Sequence, residues 1–397
     1  MTVQTEAPAL RRSRLAAGAA FFVQGLLFIS LTTRLPMIQK RWDLDELAVS
    51  GLLLMVVLLA GGGSVLAEVV AKRSSSAVVV RVGFVLATVG FAVLLVAPAF
   101  GVFVGGLAVY GLALGLVDAS SNMQAVTVEH LYGRPILPSF HGFWTAGGVV
   151  GTLITLATAS VDLGPTLLPL LVFPLAVLAA PFVRRDRLAD AAEPLDVPWR
   201  RILLLGVAMV LFYMVDTAAT TWGPVYLGGT LDAPTSLTAL ATLPYLLATL
   251  LARAVGDGLV DRHGAVWMLR ISGVVASVAL AVIVFAPTWW VAVVGFAVLG
   301  GAVATIAPLS FSAAGAIAGG EGLSGEKRID KVDQVIARFN QFNYVGALLG
   351  AVLTGAVGSD NLRIGFAVPM VLILGIIPLA AQFAIVRRRA TGVVDGA

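Results

Sequence analysis

The chain has 397 residues, of which 59% are hydrophobic and only 12% are charged, with a formal net charge of +4. Soluble domains carry about 25% charged residues, and a globule of this size cannot bury so much apolar surface, which argues against a soluble enzyme, a nucleic-acid-binding protein and a disordered regulator. The chain has no cysteine, which excludes disulfides and thiolate chemistry. Its three histidines form no HExxH pair, so we predict no metal site and no cofactor.

Twelve apolar runs follow one another along the chain. Each can form a helix of roughly 20 residues, the length needed to cross a bilayer core about 30 Å thick. The sequence therefore predicts an all-α polytopic membrane protein; a closed barrel would instead show alternating polarity. The predicted spans are residues 15–37, 46–70, 77–97, 100–128, 139–160, 165–183, 201–228, 236–256, 265–286, 288–318, 334–358 and 361–386.

Arg11-Arg12-Ser13-Arg14 before the first apolar run superficially resembles a secretory signal. We favour a first transmembrane helix, because the run is long for a signal and eleven further spans follow.

The basic residues fall unevenly on the two sides of these spans. Of the 26 Lys and Arg residues, 22 lie on the side of the two termini, and the opposite side has Arg34, Lys40, Arg41 and Arg363. Cytoplasmic segments are enriched in Lys and Arg, so we predict a cytoplasmic-membrane protein with both termini in the cytoplasm.

The two halves of the chain resemble each other. Ala97-Pro98 matches Ala286-Pro287 at an offset of 189, and Phe140–Phe143 matches Phe339–Phe342 at an offset of 199. Six spans return the chain to its starting side, which indicates parallel repeats related by an axis along the membrane normal. We predict an N-terminal six-helix bundle in residues 1–183, a cytoplasmic linker in 184–200 and a C-terminal six-helix bundle in 201–397.

Gly147 and Gly151 recur as Gly346 and Gly350 in the second half. Small residues at this spacing let two helices approach closely, and packing alone is sufficient to explain them.

Two segments between spans contain acidic residues followed by basic ones. Ser64–Arg73 and Arg253–Gly264 resemble the GxLADRxGRR signature of the major facilitator superfamily. The first copy departs from the signature at Ser64, Glu68, Val69 and Ala71. The resemblance implies twelve helices, secondary active transport by alternating access between the halves, and a monomer. It also implies a cytoplasmic gate, to which we assign Glu68, Arg73, Arg253, Asp257, Asp261 and Arg262; charges that merely set topology are the alternative.

A narrower resemblance lies in the fourth and fifth spans. Gly111, Gly115, Asp118 and Asn122 precede Glu129, Arg134-Pro135 and Phe140-His141-Gly142-Phe143-Trp144. This pattern is similar to the fucose-permease-like and rhizopine-permease-like branch of the superfamily, and we add Glu129 and Arg134 to the candidate gate. The branch implies proton-coupled movement of a small polar solute, such as a sugar or cyclitol derivative.

Two other functions stay open. One is proton-antiport efflux of a drug or secreted metabolite, although the Gly-Pro pair usual in the fifth span of drug antiporters is replaced by Gly147-Gly148. The other is a membrane sensor without transport activity, which the absence of a long polar segment disfavours.

Ionisable groups within a bilayer are costly and rare, so each is a candidate functional residue. Asp118 lies 11 residues before Glu129, which places it roughly 16 Å deep if Glu129 marks the interface. Asn122 follows one helical turn later on the same face. Asp216, with Tyr213 on its face, is the second candidate carboxylate. We expect Asp118 and Asp216 to bind solute or protons; buried hydrogen bonds between helices are the alternative.

One arginine and several uncharged or aromatic groups complete the candidate solute site. Arg34 can pair with a carboxylate, bind an anionic group of the solute or snorkel to the interface. The other polar and aromatic groups suit sugar hydroxyls and ring faces, although hydrogen bonding between helices explains them nearly as well. They are Gln24, His141, Trp144, Asn340 and Asn343.

Overall fold

The computed structural model describes residues 8–132, 136–183, 197–318, 335 and 338–387. Its regular secondary structure in these ranges is helical throughout. Most of the predicted linker, residues 184–196, and the candidate gate residue Arg134 lie outside the described residues. The side chain of Asp257, another candidate gate residue, also lies outside them.

Ten helices in the described part of the chain are long and apolar enough to cross a membrane, and two shorter apolar helices occupy the sixth and eleventh predicted positions. The prediction of twelve spans is therefore confirmed. We number them α1–α12. The first six are α1 Pro8–Thr32, α2 Glu46–Arg73, α3 Ser76–Val96, α4 Phe100–Tyr132, α5 Leu137–Ala157 and α6 Leu163–Val177.

The second six helices follow the same order. They are α7 Trp199–Thr230, α8 Leu243–His263, α9 Ala265–Val284, α10 Trp289–Ala318, α11 Gln341–Val357 and α12 Leu362–Ala384. A 3₁₀ turn, Thr235–Ala241, precedes α8. Helices satisfy their backbone hydrogen bonds internally, which is why apolar runs of this length fold as helices in lipid.

The first span ends earlier than predicted. The prediction extended it to residue 37, whereas α1 ends at Thr32 and a separate helix runs from Leu35 to Trp42. Thr33 Oγ1 donates 2.7 Å to Ile29 O at this break, and Pro36 sits in the first turn of the new helix. The backbone N–H groups of the first helical turn have no intrahelical acceptor. Proline therefore fits there, because the N–H that it lacks is not needed.

The described residues fall into two compact units. The first lies within residues 1–191 and also takes in Thr235–Ala239, and the second lies within residues 192–234 and 240–397. In the first unit α1 packs on α4 and α5, and α4 also packs on α2 and α3. In the second unit α7 packs on α10 and α11, and α10 also packs on α8 and α9. Each pair recurs six helices later, so the internal repeat seen in the sequence is a repeat of packing.

Glycine contacts show the repeat at atomic detail. A Cβ at Gly147 would collide with the carbonyl oxygen of Phe22, and a Cβ at Gly346 would lie 2.7 Å from the carbonyl oxygen of Val210. The two contacts are related by the offsets 199 and 188 along the chain. Only glycine permits these backbone approaches, so α1 against α5 and α7 against α11 use the small-residue packing of membrane helices.

Candidate functional site

In the first unit, Asp118 lies within α4 and meets polar groups from two helices. Gln24 of α1 donates from Nε2 to Asp118 Oδ1 at 3.2 Å. Asn122, one turn further along α4, donates from Nδ2 to the Asp118 carbonyl at 2.9 Å and lies 3.5 Å from Oδ1. The structure therefore adds Gln24 to Asp118 and Asn122, which the sequence had already placed on one helix face.

Gln24 is the most enclosed member of this cluster, with only 7% of its surface exposed. Its Oε1 accepts no hydrogen bond from the described residues. Asp118 and Asn122 are half-buried. The cluster thus offers a carboxylate and two amides between α1 and α4, an arrangement that can bind hydroxyl groups and exchange a proton.

In the second unit, Asp216 lies near the middle of α7, where the helix widens. Residues Ala218–Trp222 form a π-helical turn, and a second such turn covers Tyr226–Thr230. Pro224 between them lacks the backbone N–H of a regular helix. Thr220 Oγ1 donates to the Asp216 carbonyl at 2.8 Å. Wide turns of this kind are frequent at functional sites.

Tyr245 of α8 donates from its hydroxyl to Asp216 Oδ1 at 2.6 Å. The tyrosine is fully buried. A short hydrogen bond to a carboxylate is among the stronger side-chain interactions in proteins. Asp216 and Tyr245 therefore form a fixed polar pair within the second unit.

Arg34 is buried to 2% exposure and binds the end of α5. Its guanidinium donates to Val161 O at 2.9 Å, to Thr158 O at 3.0 Å and to Thr158 Oγ1 at 2.6 Å. Helix ends leave carbonyls without intrahelical donors, and a cation there is favourable. These contacts describe a helix cap, which differs from both the solute-binding and the snorkelling interpretations of this residue.

The remaining candidate solute residues make contacts between aromatic rings or are half-buried at a helix end. His141 meets Phe21 edge-on at 5.4 Å between ring centroids, and Trp144 lies 6.3 Å from Phe28. Tyr213 meets Phe212 edge-on at 4.9 Å. Asn340 and Asn343 are half-buried at the start of α11. Aromatic packing is thus one contact of each of His141, Trp144 and Tyr213.

Two candidate gate residues bind backbone atoms. Glu129 accepts from the backbone N–H of Ile136 at 2.7 Å and so joins the end of α4 to the start of α5. Arg253 Nε lies 3.4 Å from Ala304 O in α10. The side chains at the ends of α2 and α8 are exposed, and these are Glu68, Arg73, Asp261 and Arg262.

Sequence reasoning missed two polar residues that hold helices together. One is Tyr245, the partner of Asp216. The other is Gln124, which is buried and bonds Ser76 Oγ at 2.7 Å, Val183 O at 2.8 Å and Val183 N at 2.9 Å. Both are polar groups inside predicted spans, a signal that would have identified them as candidates.

In the described part of the chain, no three His, Asp or Glu side chains are grouped as metal ligands.

Comparison with known proteins shows which family this chain is similar to. The profile of the Major Facilitator Superfamily matches residues 204–396. An uncharacterized MFS-type transporter of Yersinia pestis is 24% identical over 276 residues, covering 68% of this chain and 69% of the relative. An uncharacterized transporter of Sinorhizobium fredii is 28% identical over 306 residues, covering 75% of this chain and 81% of the relative.

Solved structures share the fold along nearly the whole chain. A variant of the nucleoside transporter NupG superposes with a TM-score of 0.68 at 13% identity, covering 95% of this chain and 99% of that one. A variant of the Escherichia coli fucose:proton symporter FucP gives a TM-score of 0.61 at 14% identity, covering 93% and 98%. The repeated helix packing, the profile match over just under half of the chain and the related transporters make the chain similar in sequence and fold to transporters of the major facilitator superfamily.

Proposed function

We propose that this transporter moves a small polar solute, of the sugar or cyclitol type, together with protons across the cell membrane. The observation that carries the proposal is the cluster of Asp118, Gln24 and Asn122 inside the first unit. A carboxylate within a membrane-spanning helix is retained against a substantial cost, which favours a functional role. Amide groups beside it supply the donors and acceptors that hydroxylated solutes need.

The structural neighbours support the choice of solute class. One is a fucose:proton symporter and another is a nucleoside transporter, and both a sugar and a nucleoside carry several hydroxyl groups. Their identities to this chain, 14% and 13%, reflect the shared fold. The solute class therefore rests on the polar groups of this chain, and the neighbours agree with it.

In this proposal Asp118 carries the proton, and the Asp216–Tyr245 pair is a second polar site within the other unit. The exposed charges at the ends of α2 and α8 act as cytoplasmic gate residues, as their resemblance to the family signature implies. The transporter works as a monomer, with both termini in the cytoplasm. Efflux by proton antiport is the competing function, and a flux measurement distinguishes it.

The proposal is tested with purified protein in lightly buffered proteoliposomes. The pH outside the vesicles is recorded while sugars, cyclitols, nucleosides and amphipathic drugs are added in turn. Proton–solute symport consumes external protons, so we expect alkalinisation on adding a polar solute. Proton release from acid-loaded vesicles on adding a drug would favour antiport instead.

Two carboxylate variants make the test specific to Asp118. Asp118→Asn removes the titratable group while keeping its size, and we expect it to abolish solute-driven proton movement. Asp360→Asn is the matched control, because Asp360 is an exposed carboxylate between α11 and α12, and it should leave proton movement unchanged. Proton-coupled transport that persists in Asp118→Asn contradicts the role proposed for this residue.

A further inference from the structure

The amide of Gln24 is buried but uses only one of its two ends. Nε2 donates to Asp118 Oδ1 at 3.2 Å, whereas Oε1 accepts no hydrogen bond from the described residues. A buried amide oxygen without a donor is unfavourable, and such groups in native proteins call for an explanation.

The orientation of this amide follows from the chemistry of its partner. An ionised carboxylate has only acceptor oxygens, so the NH₂ end of Gln24 must face it. The NH₂ group of Asn122 lies 3.5 Å from the same oxygen. The arrangement in the structure therefore suits an Asp118 whose Oδ1 carries no proton, with amide donors turned towards that oxygen.

Protonation of Asp118 on Oδ1 reverses this requirement at that oxygen. A carboxylic acid presents an O–H donor, for which the oxygen of Gln24 is a suitable acceptor. Rotation about the terminal torsion of glutamine exchanges its oxygen and nitrogen, and this torsion is soft. The pair thus has two hydrogen-bonded states, one for each protonation state of Asp118.

We propose that Gln24 is a positioning residue that responds to the protonation of Asp118 by turning its amide. The inference rests on the proposed function, in which Asp118 carries the proton. The free end of the amide is an acceptor when Asp118 is ionised and a donor when it is protonated. A hydroxyl group can donate or accept, so a hydroxylated solute suits both states.

The other acidic, basic and histidine residues on α4 and on the helices packed against it lie towards helix ends, and α4 also has two tyrosines, Tyr110 and Tyr132. Glu129 is on α4 itself, and Lys72 and His130 also belong to these helices. The remaining groups on α1, α2, α3 and α5 are Arg11, Arg12, Arg14, Glu46, Glu68, Arg73, Arg81 and His141. Some of these groups also change protonation with pH. A spectroscopic signal that belongs to Asp118 alone is therefore needed to follow this carboxyl group.

The test is infrared difference spectroscopy of the full-length protein in lipid, between alkaline and acidic pH. Protonated carboxyl groups give a C=O stretching band, and we expect Asp118→Asn to remove one such band. Gln24→Met removes the amide at similar length and should move that band to higher frequency, because the acid has lost its acceptor. Ser30→Ala changes another buried polar residue of α1 and should leave the band in place.

Gln24→Asn is a second variant. It keeps an amide, but its side chain is one methylene group shorter and cannot reach Asp118. It should shift the band as Gln24→Met does, so the test does not depend on one variant folding. A band that disappears in Asp118→Asn but is unchanged in both Gln24 variants overturns this inference and leaves the proposed function intact. If Asp118→Asn removes no band, the proposed proton carrier and the amide response that rests on it are both wrong.

Discussion

Residue by residue, the two units hold their membrane carboxylates in different ways. Asp118 of α4 receives hydrogen bonds from amides on α1 and on α4 itself. Asp216 of α7 receives one from a buried tyrosine on α8. The carboxylates are not counterparts in the internal repeat, because they lie on the fourth and first helices of their units. The two units therefore share their helix packing but differ in the hydrogen bonds that their carboxylates receive.

The bond between Tyr245 and Asp216 can be measured by a double-mutant cycle. We expect Tyr245→Phe and Asp216→Asn to be coupled by about 1–3 kcal/mol in the free energy of unfolding, because a part-buried hydrogen bond between the two side chains is lost. Unfolding of the purified protein by a denaturing detergent supplies the measurement. The coupling would also distinguish a fixed pair from two independent polar groups.

Tyr226→Phe is the control for this cycle. Tyr226 is equally buried and donates to Ile283 O at 2.7 Å, so its loss should cost about 1 kcal/mol without coupling to Asp216→Asn. Additive effects of Tyr245→Phe and Asp216→Asn would show that the two side chains do not stabilise each other.

At the scale of helices, arginine side chains donate hydrogen bonds to carbonyl groups at the C-terminal ends of neighbouring helices. Arg34 binds the end of α5, Arg41 donates to Ala97 O after α3 at 2.7 Å, and Arg363 donates to Val284 O at the end of α9 at 2.6 Å. The last carbonyls of a helix lack intrahelical donors. Three of the four basic residues predicted to face outside thus stabilise helix ends, which gives these exceptions to the charge bias a structural role.

The close approach of α5 to α1 at Gly147 predicts the effect of a substitution at this glycine. Gly147→Ala should destabilise the first unit by roughly 1–3 kcal/mol or prevent folding, because the added methyl group meets the Phe22 carbonyl and the core cannot absorb it without strain. Thermal unfolding of the purified variant measures the loss.

Gly142→Ala on the same helix is the matched control. A Cβ there would meet no atom within 4 Å, so alanine should be neutral or stabilise by up to about 1 kcal/mol through its greater helix propensity. Equal melting temperatures for the two variants would contradict close packing of α1 on α5.

For the whole molecule, the unequal distribution of basic residues predicts the orientation in the membrane. We expect a reporter at the C-terminus to be cytoplasmic, so that green fluorescent protein fluoresces there and alkaline phosphatase is inactive. The same reporters fused after Asp43, following the helix Leu35–Trp42, should behave in the opposite way. An active C-terminal alkaline phosphatase would reverse the proposed topology.

The sequence by itself determined the number and order of the membrane helices and the internal repeat. These follow from local properties, since a long apolar run in lipid must satisfy its own backbone hydrogen bonds and so becomes a helix. The break after Thr32 was less predictable, because the apolar run continues through Leu35 and Pro36 into a helix with a new start.

Only the tertiary structure decided which polar residues become partners. Gln24 and Asp118 are 94 residues apart, and Asp216 and Tyr245 are 29 apart. The sequence named Asp118, Asn122, Gln24 and Asp216 because polar groups are costly in a bilayer, but it left the partner of Arg34 open and overlooked Tyr245. Pairing depends on which helix faces meet and at what depth, and contacts between distant segments fix both.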